Sequence, residues 1–318
     1  MTDPDISLQN GPSEDDIAAA RELVEAVVAN VENVVVGNHK TIEHVVTTLL
    51  AGGHVLLEDV PGVGKTVLAR SVAASVGGEF SRVQFTPDLL PADVTGVNVY
   101  NEATGEFEFR QGPVFGNVML GDEINRAPPK TQSALLEAME ETQVTVDGET
   151  RPLPDPFFVI ATQNTVEGDR TYDLPVAERD RFTKQLTMGY PDGNEETKLL
   201  GRVVDGHPID ELSAVVGLSE LRRACATSSA IRAEPSVREY ITRLAAYTRE
   251  HAELGVSPRG SIALLRTAQA RAVLDGREYV LPDDVQREAS VVLPHRIIGS
   301  ERGADRIVTE ALETVSVP

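Results

Sequence analysis

The segment EDVPGVGKT, residues 58–66, constrains the fold of this chain more than any other feature of its sequence. It lies between an apolar run, HVLLEDV, that predicts a strand and a run, VLARSVAASV, that predicts a helix. A glycine-rich turn between a strand and a helix offers backbone N–H groups and the positive end of the helix to an anion. The segment therefore predicts a phosphate-binding loop at the edge of a sheet.

The residue types in this loop suit a nucleotide. Gly62 and Gly64 let a phosphate chain approach the backbone, while Lys65 supplies a cation and Thr66 a hydroxyl for Mg²⁺. Asp59 stands where the strict pattern G-x-x-x-x-G-K-S/T has a glycine. An ordinary turn with a helix cap is the alternative interpretation. The full candidate loop is Asp59, Val60, Pro61, Gly62, Val63, Gly64, Lys65 and Thr66.

Polar residues follow two further apolar runs. Asp122 and Glu123 end NVMLGDE, and adjacent carboxylates there can hold Mg²⁺ and polarise an attacking water respectively. Asn164 ends FFVIATQN, where its amide could orient that water. Arg181, in LPVAERDRF, could fork onto phosphate oxygens, although a surface salt bridge is the simpler interpretation of this arginine. Solvated turns are likewise the alternative for the acidic pair.

The order of the predicted elements indicates the fold class. Strands alternate with helices up to about Pro191, which predicts an α/β fold with a parallel sheet between helical layers. Two segments, GVNVYNEATGEFEFRQ and QVTVDGETRPL, predict inserted β-hairpins. Beyond Pro191 only amphipathic helices are predicted, hence a second, smaller, all-helical domain. We expect a flexible acidic tail over 1–15, a nucleotide-binding core over 16–190 and a helical domain over 191–318.

Composition limits the possible functions. The 50 acidic against 29 basic residues give a net charge of −21, which disfavours nucleic acid and anionic lipid as partners. No apolar run approaches the length of a membrane span, and the first residues are acidic and polar, so we expect a cytoplasmic protein without membrane insertion. The single cysteine, Cys225, excludes an internal disulfide.

The wording of these motifs resembles the MoxR family of AAA+ ATPases. DEINRAPPKTQSALLEAMEE is the most specific match, alongside TPDLLPADVTG, YDLPVAERDRF and GVSPRGS. The resemblance implies an AAA+ core with a helical lid that binds ATP and Mg²⁺. It implies a Walker A loop at 59–66 and a Walker B pair at Asp122 and Glu123. It also implies a sensor 1 residue at Asn164, an arginine finger at Arg181, a sensor 2 residue at Arg259 that closes on nucleotide, and an adenine pocket at Val36 and Gly37.

The resemblance also implies how such a chain acts. MoxR relatives are chaperone-like motors that form rings, so we expect a homo-hexamer that remodels client proteins with a partner carrying a von Willebrand A domain. A helicase-like DNA motor is the alternative, because a related AAA+ clade shares the hairpins and the finger. The acidic hairpin segments VDGE and NEATGEFE argue against DNA. A nucleotide-gated scaffold without turnover is a third possibility, disfavoured by Glu123, Asn164 and Arg181 occurring together.

Overall fold

A computed structural model describes residues 11–164, 172–204, 208–299 and 303–318. The strands are β1 (Val55–Asp59), β2 (Phe80–Gln84), β3 (Gly96–Asn101), β4 (Glu106–Gln111), β5 (Val118–Asp122), β6 (Gln143–Val146), β7 (Glu149–Pro152), β8 (Phe158–Asn164) and β9 (Lys184–Leu186). The helices are α1 (Glu14–Glu32), α2 (His39–Leu50), α3 (Lys65–Ser75), α4 (Pro91–Thr95), α5 (Pro129–Glu141), α6 (Val176–Arg179), α7 (Gly193–Val204), α8 (Leu218–Ala230), α9 (Pro235–His251), α10 (Pro258–Leu274), α11 (Pro282–Val292) and α12 (Ala304–Thr314).

Five strands form one parallel sheet in the order β2-β5-β8-β1-β9. The three central strands, β5, β8 and β1, are largely apolar runs, as expected for strands covered on both faces. We call the edge where these strands end the carboxyl edge and the edge where they begin the amino edge. The candidate loop follows β1, so it lies at the carboxyl edge. The predicted α/β class with a parallel sheet is confirmed.

Helix α1 begins at Glu14, because the Ser13 hydroxyl accepts the Asp16 N–H and the Asp16 carboxylate accepts the Ser13 N–H. The expected tail over 1–15 therefore ends inside an ordered helix, and its residues 1–10 lie outside the described part of the chain. The acidic Glu14 and Asp15 belong to the first helical turn, where a helix favours negative charge.

Both inserted hairpins are present as predicted. β3 pairs with β4 and β6 pairs with β7, each antiparallel, and Asn98 of β3 donates to Asp147 in the β6–β7 turn at 2.8 Å. Gly96 begins β3 with φ +98, and a Cβ there would lie 2.4 Å from the Arg110 carbonyl oxygen. The first hairpin thus requires glycine where its two strands meet.

The helical lid shares its core with the sheet. One apolar cluster includes Val27 of α1, Leu68 of α3 and Leu244 of α9, so it runs from one face of the sheet into the lid. A second cluster, which includes Phe85 and Leu135, covers the other face. Helix α1 packs on α8 and α10 as well as on α2 and α3. The expected boundary near 190 therefore separates two units that remain joined by α1.

A buried ion cluster also joins the core and the lid. Lys184 of β9 is fully buried, lies 2.7 Å from a Glu288 carboxylate oxygen of α11 and donates to the Thr47 hydroxyl at 2.8 Å. Arg271 of α10 donates to Glu288 at 2.8 Å. Burial would raise the pKa of Glu288, but the charges of Lys184 and Arg271 outweigh it and lower that pKa. These ions are paired as burial requires.

Cys225 is half-buried and donates to the Leu49 carbonyl, and burial raises its pKa to about 12, which makes it an inert thiol. Within the described ranges, none of the helices has the length and apolar character needed to cross a bilayer.

Candidate nucleotide site

The candidate loop has the left-handed backbone that only glycine adopts freely. Gly62 has φ +86 and Gly64 has φ +97, and α3 begins immediately afterwards at Lys65. Around Gly62 the space that a Cβ would occupy is open, so a ligand can approach its backbone there. Val60, Pro61 and Val63 complete the turn between β1 and α3. The strand–loop–helix arrangement predicted from the sequence is confirmed.

Lys65 is folded back against its own loop. Its ammonium group donates to the carbonyl oxygens of Asp59 at 3.0 Å and Val60 at 3.3 Å, and to Asn164 Oδ1 at 3.0 Å. Burial lowers the pKa of Lys65, and the carboxylates of Asp59, Asp122 and Glu123 partly offset this effect. The cation is thus held at the carboxyl edge by weak carbonyl acceptors that a phosphate oxygen would replace.

Asn164 joins Lys65 to Glu123. Its Oδ1 accepts from Lys65, while its Nδ2 donates to Glu123 Oε1 at 2.7 Å. β8 lies between β5 and β1 and pairs Asn164 with Asp59 in register, so the sheet order itself brings these ends together. Three residues that are far apart in the sequence therefore meet in one chain of hydrogen bonds.

Asp122 and Thr66 offer the donor set expected for Mg²⁺, which usually takes one or two protein oxygens and fills its octahedron with water and phosphate oxygens. Asp122 ends β5, where its Oδ1 accepts the Thr162 hydroxyl at 2.7 Å and its Oδ2 accepts from Arg82 at 2.6 Å. Thr66 lies in the first turn of α3. Among the described residues no group of three or more His, Cys, Asp or Glu side chains is placed to hold a metal ion. Phosphate oxygens and water are the usual remaining ligands of Mg²⁺.

Sequence reasoning missed three residues of this site. Gln84 donates to Glu123 Oε2 at 2.6 Å, Arg126 lies 2.7 Å from the same oxygen, and Arg82 pairs with Asp122. Gln84 and Arg82 belong to β2, which is adjacent to β5 in the sheet. The signal that could have found Gln84 is its position at the end of a predicted strand, as for Asn164. Glu123 is therefore held by an amide on each side.

Val36 and Gly37 line a cavity of about 280 Å³ between the end of α1 and helix α7. Gly37 has φ +71, and a Cβ there would lie 2.6 Å from the Glu195 carboxylate. Arg202 of α7 donates to the Glu32 and Asn33 carbonyl oxygens at 2.8 Å. Residues of the core line one side of the cavity and residues of α7 line the other, as expected for an adenine pocket between core and lid. A side chain at position 37 would clash with Glu195, so this position requires glycine.

Arg181 and Arg259 lie together, and not beside Lys65. Both pair with the carboxylate of Glu140 near the end of α5, Arg181 at 3.4 Å and Arg259 more closely. The nearby segment lies at the amino edge, because the Thr183 N–H donates to the carbonyl oxygen of His54, just before β1. Arg259 was expected to close on nucleotide, and the structure places it at the edge opposite the candidate loop.

The length of β1 separates these arginines from the loop. Its five residues span roughly 16 Å at ~3.3 Å each, with His54 at one end and Asp59 at the other. Thus Lys65, Asn164, Glu123 and Asp122 meet at the carboxyl edge, whereas Arg181 and Arg259 belong to a separate cluster. One copy of the chain does not bring all of the predicted site residues together.

Lid residues hold the segment that carries Arg181. Arg296 is almost fully buried, and it donates to the Asp180 carboxylate at 2.8 Å and to the Phe182 carbonyl oxygen at 2.6 Å. Ser257, the cap of α10, donates to the other Asp180 carboxylate oxygen at 2.7 Å. Burial lowers the pKa of Arg296 to about 10, and Asp180 partly offsets this, so the guanidinium stays charged at neutral pH.

Two protein-family models match this chain. That of the ATPase family associated with various cellular activities (AAA) matches residues 54–184, from the start of β1 to β9. That of an AAA lid domain matches residues 244–314, within the helical unit. The predicted AAA+ core and helical lid are confirmed.

Proteins that match nearly the whole chain identify the family within the AAA+ ATPases. The uncharacterized protein YeaC of Bacillus subtilis is 51% identical over 93% of this chain and 95% of its own length. Chaperone MoxR1 of Mycobacterium tuberculosis is 37% identical over 95% of this chain and 84% of its own. A crystal structure of a Cytophaga hutchinsonii protein, described provisionally as an ATPase, has a TM-score of 0.89 at 37% identity, covering 96% of this chain and 98% of its own. The chain belongs to the MoxR family of AAA+ ATPases.

Proposed function

We propose that this ATPase works as a homo-hexameric ring with each ATP bound at the seam between two copies. One copy provides Lys65, Thr66, Asp122, Glu123 and Asn164, and its neighbour provides Arg181 and Arg259. The observation that carries this proposal is the separation of the two clusters by the length of β1, because a phosphate held by Lys65 is out of reach of Arg181 in the same copy.

Each residue has a chemical task in this proposal. Lys65 exchanges its loop carbonyls for phosphate oxygens, and Glu123 takes the proton of the attacking water that Asn164 orients. Thr66 and Asp122 would hold Mg²⁺, whose charge would offset that of the phosphate oxygens. The neighbour's Arg181 forks onto the γ-phosphate, a contact worth about 10³ to 10⁵ in rate in related enzymes.

An exposed apolar surface lies next to the nucleotide cavity. Tyr190, Leu199 and Leu200, in the linker and on α7, are exposed, and α7 also carries Glu195 at the cavity wall. Leu199 and Leu200 are neighbours on α7, and adjacent exposed apolar side chains favour a surface that another copy covers. A neighbouring copy that covers this surface would bring its own arginines to the seam.

Mixing two inactive variants tests the shared site. We expect Glu123→Gln and Arg181→Ala each to lose at least about 10²-fold in turnover while still binding ATP. In a 1:1 mixed ring, a seam is complete when the Arg181→Ala copy supplies Glu123 and the Glu123→Gln copy supplies Arg181. Random assembly then restores about a quarter of wild-type turnover, because each requirement is met at half of the positions.

Arg179→Ala is the matched control, since Arg179 lies two residues away, at the end of α6, and is not one of the two arginines that pair with Glu140. It should keep most of the turnover and the assembled mass. No restored turnover in the mixed sample, with mixed rings verified by mass, would mean that each copy completes its own site and would refute the proposal.

We further propose that the motor remodels client proteins together with a partner that carries a von Willebrand A domain. The net charge of −21 and the acidic hairpin residues Glu102, Glu106 and Glu108 support protein over DNA as the client. Clear DNA binding at low salt would instead favour the helicase-like alternative. A cytoplasmic location stays a prediction from the sequence.

A further inference from the structure

The carboxylate of Asp59 lies between the candidate loop and the segment that leads to the lid. Asp59 is 8% exposed. Its Oδ2 accepts the N–H groups of Met188 and Gly189, both at 2.7 Å, and its Oδ1 accepts the Val60 N–H at 2.8 Å. One side chain thus holds the next residue of the loop, Val60, and two residues of the linker between β9 and α7.

This contact begins where the sheet stops. The pairing of β1 with β9 ends at Leu57 and Leu186, so the main chain offers the linker no further ladder partner there. Two residues later the Asp59 side chain takes over, and Gly189 then turns with φ +71 towards α7. A glycine at position 59 would remove the acceptor of two largely buried N–H groups, which is costly.

The same residue also holds the loop cation. The Asp59 carbonyl oxygen accepts from Lys65 at 3.0 Å, so the carbonyl binds the loop and the carboxylate binds the linker. Met188 lies against the loop as well, with its Cε 4.0 Å from the place of a Gly64 Cβ. Phosphate that draws Lys65 away from this carbonyl therefore acts on the residue that anchors the linker.

We propose that Asp59 is a positioning residue that makes the candidate loop and the lid linker move as one body, so that occupation of the loop changes the position of the lid. This inference rests on the proposed nucleotide site. It explains why an aspartate replaces the first glycine of the loop pattern in this chain. An aspartate instead of a glycine at position 59 does not restrict the loop, because the two residues with left-handed backbone are Gly62 and Gly64.

Hydrogen–deuterium exchange on the full-length protein, with and without Mg-ATP, tests the coupling. In the wild type we expect ATP to slow exchange both in the loop, residues 59–66, and in the linker and α7, residues 187–204. In Asp59→Gly the loop should still be slowed, with the ATP Kd within about threefold of wild type, whereas the ATP-dependent slowing of the linker should fall at least tenfold. Turnover should fall at least tenfold at unchanged KM.

Three variants make the result specific. Asp59→Asn keeps one oxygen that can face Met188 and Gly189, so it should retain most of the linker response. Asp59→Ala removes the acceptor without adding backbone freedom, so it carries the test if the glycine variant is unstable. Asp192 is the matched control, because it accepts the Asn194 and Glu195 N–H groups at 2.8 Å without touching the loop. Asp192→Asn should leave the response to ATP in both segments.

The possible failures are distinguishable. Linker slowing that persists in Asp59→Gly would overturn the inference, and so would a wild type whose loop responds to ATP while its linker does not. A wild-type loop that does not respond at all would overturn the nucleotide site and the coupling together.

Discussion

At the scale of single residues, Asn164 controls how the resting site is arranged. Its amide satisfies two opposite charges, with the oxygen towards Lys65 and the NH₂ group towards Glu123. Exchange of the two amide ends would leave both contacts unfavourable, so the side chain has one useful orientation. This fixes the direction in which Glu123 points before any water is bound.

Replacement of Asn164 should therefore separate binding from chemistry. In Asn164→Asp a second carboxylate oxygen faces Glu123 at a position now 2.7 Å away, and like charges there repel. We expect kcat to fall about 10²-fold or more while the Kd for ATP changes only a few-fold. Gln163→Ala, at the preceding amide on the opposite face of β8, is the control and should remain active. A mutant with wild-type kcat would remove Asn164 from the mechanism.

At the scale of elements, His54 links the start of β1 to strand β8 and helix α5. Its Nδ1 accepts the Val159 N–H of β8 at 3.1 Å, and its Nε2 lies 3.2 Å from the Met139 carbonyl oxygen of α5. Only a neutral ring with its proton on Nε2 satisfies both partners. Burial lowers the pKa of His54 to about 4.

This lowered pKa predicts an acid-sensitive fold. Between pH ~6.5 and ~4 the unfolded histidine binds a proton that the folded one does not. The contribution of neutral His54 to the free energy of unfolding is therefore fully present above about pH 6.5 and is lost as the pH falls towards 4. The loss is about 3 kcal/mol, because the folded and unfolded pKa values differ by about 2.5 units. Urea unfolding of His54→Gln should show a shallower decline over this range, with His251→Gln, at an exposed ring, as control. An unchanged slope would contradict this role of His54.

The strands and helices were predictable from the sequence, but which of them lie next to one another in the fold was not. Apolar runs and turn residues located the strands, both hairpins and the loop, because these signals are local. The spatial order β2-β5-β8-β1-β9 depends on crossover connections that leave no local signal. Gln84 therefore escaped notice, and the proximity of Arg259 to Arg181 depends on how the lid packs against Glu140.

At the scale of the whole molecule, charge opposes assembly. Each copy carries a net charge of −21, so assembly of the proposed six-membered ring would accumulate like charge. Salt shortens the range of this repulsion from about 10 Å at 0.1 M to about 3 Å at 1 M.

We therefore expect the assembled fraction and the turnover per chain to rise between 0.1 and 1 M salt, as measured by mass and ATPase assays on the same samples. Arg181→Ala should assemble with the same salt dependence while staying inactive, which separates assembly from chemistry. A ring that dissociates as salt rises would show that attractive ion pairs at the seam dominate instead.

The placement of Lys65 and Arg181 on opposite edges of the sheet has a consequence for counting. Under the shared-site proposal, two associated copies form one complete site between them. At one end of the pair a loop with Lys65 lacks a neighbouring Arg181, and at the other end an Arg181 faces no loop. An open row of n copies has n − 1 working sites, and only closure supplies the last. Turnover per chain would then increase with the number of copies in an open row. A ring that opens at one seam would lose the activity of that one site, and the other sites would remain complete.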